Sequence, residues 1–411
     1  LMLNIDGFKL DNMNSAMFDD LCYITMKDET YKVRKSLQLS GGAVLPEKKK
    51  STVVELPVRV NWGGGWSDTP PYCYDFGGTV LNAAIKLNGI KPIRVEAKIV
   101  PNHPGKIIFE SKDFNEYKEF TNITEIFDCS NPFDPFSLHK ATVIVSGLIQ
   151  DKQNKEGKLQ TITEQLEQYC GGLYLSTYTN VPKGSGLGTS SILAGACLEA
   201  LADIRGRSYT SGELCDQVLC VEQLMSTGGG WQDQIGGLVN GIKIIKSNPG
   251  LIQTMKIQPV SVPPDTLREL NERFVLIFTG QQRLARNILR EIVGKILARD
   301  TRTMEILERI QQLAVLMAFE LERGRITEFA HLLNEHWALS TELDPGTTNT
   351  CIDYIFSSCE DMIDGKFICG AGGGGFLQVI LKKGITKQEL TQRLENVFQE
   401  SGVEVYDTEL V

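Results

Sequence analysis

The fold class of this chain is decided by the stretch Pro182-Lys183-Gly184-Ser185-Gly186-Leu187-Gly188-Thr189-Ser190-Ser191. It follows a strand-like segment, 173–179, and precedes the helical pattern of Ile192, Ala196 and Leu201. A strand, a glycine loop and a helix therefore follow one another. Glycines let backbone N–H groups approach a ligand, and a helix start carries about half a positive charge. The stretch predicts a seat for an anion.

This loop differs from a Walker A motif, which ends in Gly-Lys-Ser/Thr. Here Gly188 is followed by Thr189 and Ser190. The hydroxyls of Thr189 and Ser190 have two interpretations, because they could cap the helix or could reach Mg²⁺ and phosphate. The residues alone leave both open.

Glycines elsewhere in the chain are also clustered. Of the 39 glycines, 20 fall in the windows 63–78, 184–195, 228–241 and 370–375. We interpret the clusters as loops that converge on one phosphate-bearing ligand. The alternative is four unrelated turns.

Length and charge limit the classes of function. At about 150 residues per domain, 411 residues allow two or three domains. The formal net charge of −9 argues against nucleic acid or an anionic membrane as partner. No segment approaches the roughly 20 apolar residues of a membrane span, and Asp6 stands where a signal peptide would be basic. We therefore expect a cytoplasmic protein without a membrane partner.

Metal-ligating patterns of histidine are missing from the sequence. The four histidines are isolated except for His331 and His336, whose five-residue spacing places them on different faces of a helix. A zinc site is disfavoured on this spacing.

Patterning along the chain predicts two mixed lobes. Residues 1–50 fit poorly with the rest and are interpreted as an N-terminal extension, or the tail of an upstream domain, with a linker. We expect an N-terminal lobe at 51–245 and a C-terminal lobe at 246–411. The fold class is α+β, with the strands, helices and final strand–glycine turn–strand expected as follows: strands 52–56, 58–62, 79–85, 93–99, 173–179 and 273–279; helices 213–225, 284–296 and 306–317; strand–turn–strand 366–381.

At three places the chain resembles the GHMP kinases, the family of galactokinase, homoserine kinase, mevalonate kinase and phosphomevalonate kinase. Pro182–Ser190 matches the family's Pro-x-x-x-Gly-Leu-Gly-Ser-Ser loop, with Thr189 for the first serine. The N-terminal motif appears as Pro57–Asn61 and continues to Asp68, and the C-terminal motif as Gly370–Phe376. The resemblance implies the GHMP kinase fold, with two mixed α/β lobes, the active site in the cleft between them, and ATP and Mg²⁺ as cofactors.

One departure from galactokinases bears on the substrate. Galactokinases have Gly-Glu-His-Thr-Asp where this chain has Gly64-Gly65-Trp66-Ser67-Asp68. This string, with 279–286, resembles the branch that contains L-fucokinases and bacterial heptose 7-phosphate kinases, and segments 75–82 and 88–93 are more similar to L-fucokinases. The resemblance implies a sugar kinase that converts L-fucose to L-fucose 1-phosphate at the anomeric hydroxyl. It also implies fusion to a nucleotidyltransferase domain in the full-length protein.

The resemblance assigns roles to individual residues. Asp233 matches the catalytic aspartate, beside Arg59, which would stabilise charge and keep Asp233 ionised. Glu222 matches a Mg²⁺ carboxylate and would act with Ser190. The ATP phosphates would be held by one continuous run: Lys183, Gly184, Ser185, Gly186, Leu187, Gly188, Thr189 and Ser190. Without the family, Asp233 could be a helix cap and Glu222 part of a solvated helix face.

Sugar contacts are assigned to residues of two glycine windows. Asp68 would accept a sugar hydroxyl, and Trp66 would pack on a deoxysugar or in the core. Gly372 and Gly373 would close under the substrate or phosphates. Arg283 and Arg286 could contact an anionic group or lie on a solvated face.

Two alternative functions stay open on the sequence. A D-glycero-D-manno-heptose 7-phosphate kinase would need a basic pocket for the phosphate already on its substrate. A catalytically silent sugar sensor would have no need for a base or metal ligands.

Overall fold

Strands and helices alternate along the chain in the α+β pattern that the sequence predicts. The structure is a computed structural model that describes residues 41–131, 133–225, 230–282, 286–399 and 401–411. Most of the predicted N-terminal extension, residues 1–40, lies outside this range. The strands are β1 (Ala43–Val44), β2 (Ser51–Leu56), β3 (Val58–Gly63), β4 (Thr79–Leu87), β5 (Ile93–Val100), β6 (Ile107–Ser111), β7 (Glu116–Phe120), β8 (Gly172–Thr179), β9 (Arg207–Ser208), β10 (Ile242–Ser247), β11 (Met255–Pro259), β12 (Phe274–Phe278), β13 (Ile363–Ile368), β14 (Phe376–Leu381), β15 (Glu404–Tyr406) and β16 (Thr408–Leu410).

Helices cover these strands and form most of the second half of the chain. They are α1 (Tyr72–Phe76), α2 (Ile123–Phe127), α3 (Ser137–Val145), α4 (Ile162–Leu166), α5 (Thr189–Arg205), α6 (Ser211–Leu224), α7 (Gln232–Leu238), α8 (Pro264–Arg273), α9 (Arg286–Leu297), α10 (Thr301–Glu322), α11 (Ile326–Leu343), α12 (Thr350–Ser358) and α13 (Lys387–Phe398). Short 3₁₀ turns lie at Glu167–Tyr169, Pro345–Thr347 and Glu360–Met362. Among the helices of the described residues, none combines the length and apolar character needed to cross a bilayer.

Three larger sheets organise the described residues. The first has the order β2-β5-β8-β6-β7, with β6 and β8 parallel. The second is centred on β4, which pairs with β3 on one side and with β10 and β16 on the other, while β11 extends β10. The third has the order β13-β14-β12-β15.

Pro57 separates β2 from β3 and sends the chain from the first sheet into the second. Proline has no N–H to donate to a strand ladder, so it suits a point where one strand ends and another begins. β2 pairs with β5, whereas β3 pairs with β4. The family's N-terminal motif therefore lies where two sheets meet.

Helices α10 and α11 form an antiparallel hairpin that packs on both the second and the third sheet. The hairpin turns at Gly324, whose φ is +75°. Close approach is visible at Gly63, where an added Cβ would lie 2.8 Å from the Cα of Ala314. The ring of Trp62 lies edge-on to Phe274 and Phe329, with centroids 5.6 and 5.2 Å away. The hydrophobic core therefore runs from the first half of the chain into the second.

The second sheet takes strands from both predicted lobes. β11 and β16 lie beyond residue 245, but they join β10 and β4. A single division at 245/246 therefore does not follow the sheets. The reason is that β16 pairs with an edge of β4 more than 300 residues earlier, which no local pattern reveals.

Candidate active site

The glycine loop before α5 contacts the C-terminal glycine loop through backbone atoms. The N–H of Phe376 donates to the carbonyl of Ser185 at 3.1 Å. Gly186 has a φ of +74°, and a Cβ there would lie 2.3 Å from the carbonyl oxygen of Cys369. Two motifs almost 190 residues apart in the sequence thus form one surface.

The loop separates two cavities. The central cavity, about 250 Å³, is lined on this side by Gly186 and Gly188. The loop cavity, about 330 Å³, is lined by five of the predicted ATP-binding residues, namely Lys183, Gly184, Ser185, Thr189 and Ser190. Leu187 is buried between them, and its carbonyl accepts the N–H of Arg59 at 3.2 Å.

The loop cavity also contains aromatic side chains that the motif search missed. The Nζ of Lys183 lies 3.6 Å from the centroid of the Phe114 ring, a cation–π contact. His139 is buried in the wall, and burial lowers its pKa to about 4. Phe114 and His139 come from different elements, so no sequence spacing connects them to the loop.

Buried Arg59 and half-buried Asp233 form an ion pair in the central cavity. Arg59, on β3, is 3% exposed. Its Nε donates to Oδ1 of Asp233 at 3.0 Å, and its Nη2 donates to the same oxygen. Its Nη1 donates to the carbonyl of Gly186 at 2.9 Å. One guanidinium therefore connects the carboxylate to the glycine loop, through charge-assisted hydrogen bonds.

Helix α7, which carries Asp233 in its first turn, is held at both ends by one cross-strand pair. Asn82 on β4 lies opposite Lys243 on β10. Asn82 Nδ2 donates to the carbonyl of Gln232 at 3.2 Å, and Lys243 Nζ donates to those of Gly236 and Gly241 at 2.9 and 3.1 Å. Burial lowers the pKa of Lys243 to about 7. This pair fixes Asp233 relative to Arg59.

Asp68 is fully buried and bound by Gln232. The backbone N–H of Gln232 donates to Oδ2 at 3.2 Å, and its Nε2 donates to Oδ1 at 2.9 Å. Asn61 Nδ2 donates in turn to Oε1 of Gln232 at 2.7 Å. Burial, followed by the charge of Asp233, raises the pKa of Asp68 to about 7. Asp68 lines the central cavity, and its oxygens keep lone pairs for one more donor.

Glu222 is a third carboxyl of the central cavity, and it is buried like Asp68. Its Oε1 accepts a hydrogen bond from the hydroxyl of Ser191, whereas the sequence paired Glu222 with Ser190. Ser190 is exposed and lines the loop cavity instead, because successive helical residues point about 100° apart. Burial raises the pKa of Glu222 to about 8, and Asp233 and Asp68 add to the shift.

The oxygen ligands around Glu222 fit Mg²⁺. The charge of Asp233 raises the pKa of both Asp68 and Glu222, and Arg59 pairs with Asp233. A divalent cation would stabilise their ionised forms. Within the described ranges no three His, Cys, Asp or Glu side chains form a complete metal cage. Mg²⁺ commonly needs only one or two carboxylates, with phosphate oxygens and water as its other ligands.

Trp66 both lines the central cavity and packs into the neighbouring core. Its φ is +74°, so the turn from Gly64 to Asp68 holds a bulky residue in a left-handed conformation. The ring packs beside Tyr72 and the apolar side chains of α9 and α10. The core-packing interpretation of Trp66 is therefore observed, and its contact with a deoxysugar stays a prediction.

The C-terminal glycine loop contacts both the central cavity and Thr347. Gly370 and Ala371 line the central cavity. Gly372 and Gly373 are turned toward Thr347: a Cβ at Gly372 would lie 2.7 Å from its Cα, and Gly373 N–H donates to its carbonyl at 2.7 Å. That Gly372 and Gly373 close under the substrate or the phosphates stays a prediction. Arg283 and the side chain of Arg286 lie outside the described residues.

Polar side chains from α11 complete the central cavity and were missed by sequence reasoning. His336 and Ser340, one turn apart, line it together with Phe367. His336 was considered only as a zinc ligand beside His331. Its position in the cavity depends on the α10–α11 hairpin, for which the sequence has no motif.

The Arg59–Asp233 pair lies among glycine loops that come from distant parts of the chain. Residues 157–241 match the family described as GHMP kinases N terminal domain. This part of the chain, which includes the glycine loop and Asp233, therefore belongs to the GHMP kinase N-terminal domain family.

Among solved structures, the mevalonate kinase of Methanococcus jannaschii has a TM-score of 0.64 at 17% identity, with 89% of this chain and 100% of that chain covered. Lactococcus lactis galactokinase, complexed with galactose, has a TM-score of 0.63 at 16% identity, with 93% of this chain and 97% of that chain covered. These likenesses confirm the predicted fold.

Curated relatives are more similar in sequence. The bifunctional fucokinase/GDP-fucose pyrophosphorylase of Arabidopsis thaliana is 38% identical over 361 residues, which are 87% of this chain and 32% of the relative. The L-fucokinase/L-fucose-1-P guanylyltransferase of Bacteroides fragilis is 34% identical over 79% of this chain and 34% of the relative. The chain thus spans about a third of the length of these two proteins. A Campylobacter jejuni D-glycero-alpha-D-manno-heptose 7-phosphate kinase is 27% identical over 80% of this chain and 88% of that protein.

Proposed function

We propose that this chain is an ATP- and Mg²⁺-dependent sugar kinase that phosphorylates the anomeric hydroxyl of L-fucose to give L-fucose 1-phosphate. The observation that carries the proposal is the Arg59–Asp233 pair at the boundary between the two cavities. A nucleotide in the loop cavity would contact Lys183–Ser190 and direct its terminal phosphate past Gly186 and Gly188 into the central cavity.

In the proposed reaction, the sugar hydroxyl oxygen attacks the γ-phosphorus and the bond to ADP breaks. Asp233 orients the hydroxyl and receives its proton. Arg59 holds Asp233 through charge-assisted hydrogen bonds and stabilises negative charge near the transferred phosphoryl group. The glycine loop supplies N–H donors to the phosphates. Phosphoryl transfer depends mainly on such positioning and charge stabilisation.

Glu222 and the hydroxyls of Ser190 and Ser191 are the residues that would hold Mg²⁺. The ion supplies charge neutralisation at the phosphates when it is bound. Glu222 accepts a hydrogen bond from the Ser191 hydroxyl, and the nearby charges of Asp233 and Asp68 raise its pKa. Removing Mg²⁺ with a chelator should therefore abolish turnover.

Two features support L-fucose as the substrate. Two relatives, 38% and 34% identical to this chain, have names that include fucokinase. The wall of the central cavity combines polar Asp68 and Gln232 with apolar Trp66, Phe367 and Ala371. Such a wall fits a sugar that has hydroxyls on one side and a methyl group on the other.

A substrate that already carries a phosphate fits this cavity less well. Of the described residues that line it, Arg59 is the only cation, and it is paired with Asp233. A heptose 7-phosphate would need a further positive group. The relatives' names also join kinase and nucleotidyltransferase activities, so our proposal includes fusion to such a domain in the full-length protein.

The test is ATP consumption with Mg²⁺ and a panel of L-fucose, D-arabinose, D-galactose and a heptose 7-phosphate, with the product identified by ³¹P NMR. We expect turnover on L-fucose and an anomeric phosphate. Turnover on the heptose phosphate alone would contradict L-fucose as the substrate but would agree with the proposed mechanism. Tight ATP binding without turnover of any sugar would favour a silent sensor.

A further inference from the structure

His336 brings a buried imidazole from the second half of the chain into the central cavity. It lies on α11, is 1% exposed, and shares the cavity wall with Asp68 and Asp233. Its ring stacks on Phe367, with centroids 4.2 Å apart and an angle of 21° between the planes. This stacking fixes the orientation of the ring, so its two nitrogens have different surroundings.

The tautomer of His336 follows from one hydrogen bond. Nδ1 lies 3.0 Å from the backbone carbonyl of Trp62. A carbonyl can only accept, so Nδ1 carries the hydrogen. Burial lowers the pKa of His336 to about 4, which leaves the ring neutral near pH 7. Nε2 therefore has a free lone pair and acts as an acceptor.

No group among the described residues donates to this acceptor. Among the described residues, His336 makes one hydrogen bond, from Nδ1 to Trp62. Nε2 is not one of the atoms that are enclosed by protein without a partner. Ser340 lies one helical turn further along, is also buried, and lines the same cavity. Because Nε2 is an acceptor on a residue that lines the cavity, it is placed to accept a hydrogen bond from a ligand that supplies a donor.

We infer that His336 Nε2 accepts a hydrogen bond from a hydroxyl of the acceptor sugar, which makes His336 a specificity-determining residue. The inference rests on the proposed function, because it takes the ligand of the central cavity to be a sugar. His336 does not contact the Arg59–Asp233 pair in the structure, so its role is to select the sugar rather than to transfer the proton.

The test combines matched variants with matched sugars. In His336→Asn the amide nitrogen can keep the bond to Trp62, but the acceptor is lost; His336→Gln can place an amide oxygen near the position of Nε2. The substrates are L-fucose and its 2-, 3- and 4-deoxy analogues. His331→Asn, an exposed histidine of the same helix, is the control.

We expect the native protein to lose about 10- to 100-fold in kcat/KM on one deoxy analogue, because a site built to bind a hydroxyl rejects a substrate without it. His336→Asn should lose a similar factor on L-fucose but nothing further on that analogue. His336→Gln should recover most of the loss, and His331→Asn should match the native protein. An equal loss by His336→Asn on every sugar would indicate a structural role and overturn the inference.

A second measurement separates this inference from the proposed function. If the native protein accepts another sugar of the panel, the deoxy series of that sugar replaces the L-fucose series. Long-range ¹H–¹⁵N NMR of the four histidines should show His336 protonated at Nδ1, and its Nε2 resonance should shift on saturation with the accepted sugar. If no sugar is turned over, the proposed function fails. The role of His336 is overturned if Nε2 carries the proton. It is also overturned if the Nε2 resonance does not shift when the protein is saturated with each sugar of the panel.

Discussion

Asp233 has one oxygen committed to Arg59. The two hydrogen bonds that Arg59 donates to Asp233 both end on Oδ1, which leaves Oδ2 for a substrate hydroxyl. The central cavity also contains the carboxyls of Asp68 and Glu222. A further negative charge in this cavity therefore has a higher free energy. Of these three carboxyls, Asp233 is the one that forms an ion pair with Arg59.

Replacing Asp233 by asparagine should preserve the bond to Arg59 and remove the proton acceptor. We expect kcat to fall by at least about 100-fold, with ATP affinity nearly unchanged, because Asp233 lines the central cavity and not the loop cavity. Steady-state kinetics and nucleotide titration measure the two quantities. Asp265→Asn, an exposed carboxylate on α8, is the matched control. An unchanged kcat in Asp233→Asn would remove it from the mechanism.

Asp68 should make the stability of the protein depend on pH. Its pKa is raised from 3.8 to about 7 in the folded state. Below about pH 4, Asp68 is protonated in both the folded and the unfolded state, so its raised pKa does not lower the free energy of unfolding. As the pH rises toward 7, the unfolded chain ionises first, so the free energy of unfolding falls.

Asp68→Asn should remove this dependence. Relative to the native protein, its free energy of unfolding should improve by about 1 to 3 kcal/mol between pH 5 and pH 7.5, since one pKa unit corresponds to about 1.4 kcal/mol. Urea unfolding at the two pH values measures the difference. Asp151→Asn, which is exposed, should show none. If the difference in free energy of unfolding between Asp68→Asn and the native protein were the same at both pH values, Asp68 would ionise normally in the folded state.

At the scale of elements, the two glycine loops pack backbone against backbone. Gly186 and Gly370 both have positive φ, and the Cβ that alanine would add at Gly186 would lie 2.3 Å from the carbonyl of Cys369. A left-handed conformation costs most residues about 1 to 2 kcal/mol, and the contact adds to that cost. A side chain at Gly186 would therefore push the loops apart.

Gly186→Ala should lower the melting temperature and weaken ATP binding, because the N–H groups of the loop lose their arrangement. Gly212→Ala is the matched control: Gly212 lies in α6, and a Cβ there meets no atom within 4 Å. Alanine in a helix should be neutral or stabilising by up to about 1 kcal/mol. Calorimetry and nucleotide titration compare the two variants. Equal ATP affinity in both would contradict the assignment of the loop.

Elements with a local signal could be predicted from the sequence, and side-chain directions could not. The strand, glycine loop and helix around residue 186 follow from glycine spacing and apolar periodicity, as does the long helix α10. The pairing of Glu222 with Ser191 instead of Ser190 depends on the rotation of α5 about its axis. Similarly, Gly372 and Gly373 face Thr347 because of the loop's path.

Across the whole molecule, the site is assembled from distant parts of the chain. Arg59 and Asp233 are 174 residues apart, and His336 Nδ1 meets a carbonyl 274 residues earlier. The family motif predicts the first contact because it names both residues. No motif includes His336, so its place in the cavity follows only from the packing of the α10–α11 hairpin.

The C-terminal segment links two sheets. β15 pairs with β12 in the third sheet, and two residues later β16 pairs with β4 in the second. The hydroxyl of Thr408 donates to the carbonyl of Phe274 at 2.9 Å, and Val411 N–H donates to the carbonyl of Ala84 at 3.0 Å. β4 follows the strand that carries Arg59, and β12 lies beside the C-terminal glycine loop. This segment therefore helps to hold both sides of the central cavity in register.

Deleting residues 408–411 should loosen that connection. Each lost hydrogen bond is worth about 0.5 to 1.5 kcal/mol, so several together should lower the melting temperature by about 5 °C or more. The KM for the sugar should rise more than the Kd for ATP, because the central cavity lies between the connected sheets and the loop cavity does not border them. Glu409→Gln, which removes only the exposed bond to Lys86, is the control and should change little. Calorimetry measures the melting temperature, and kinetics with nucleotide titration measure the KM for the sugar and the Kd for ATP. An unchanged melting temperature would show that the two sheets keep their arrangement without β16.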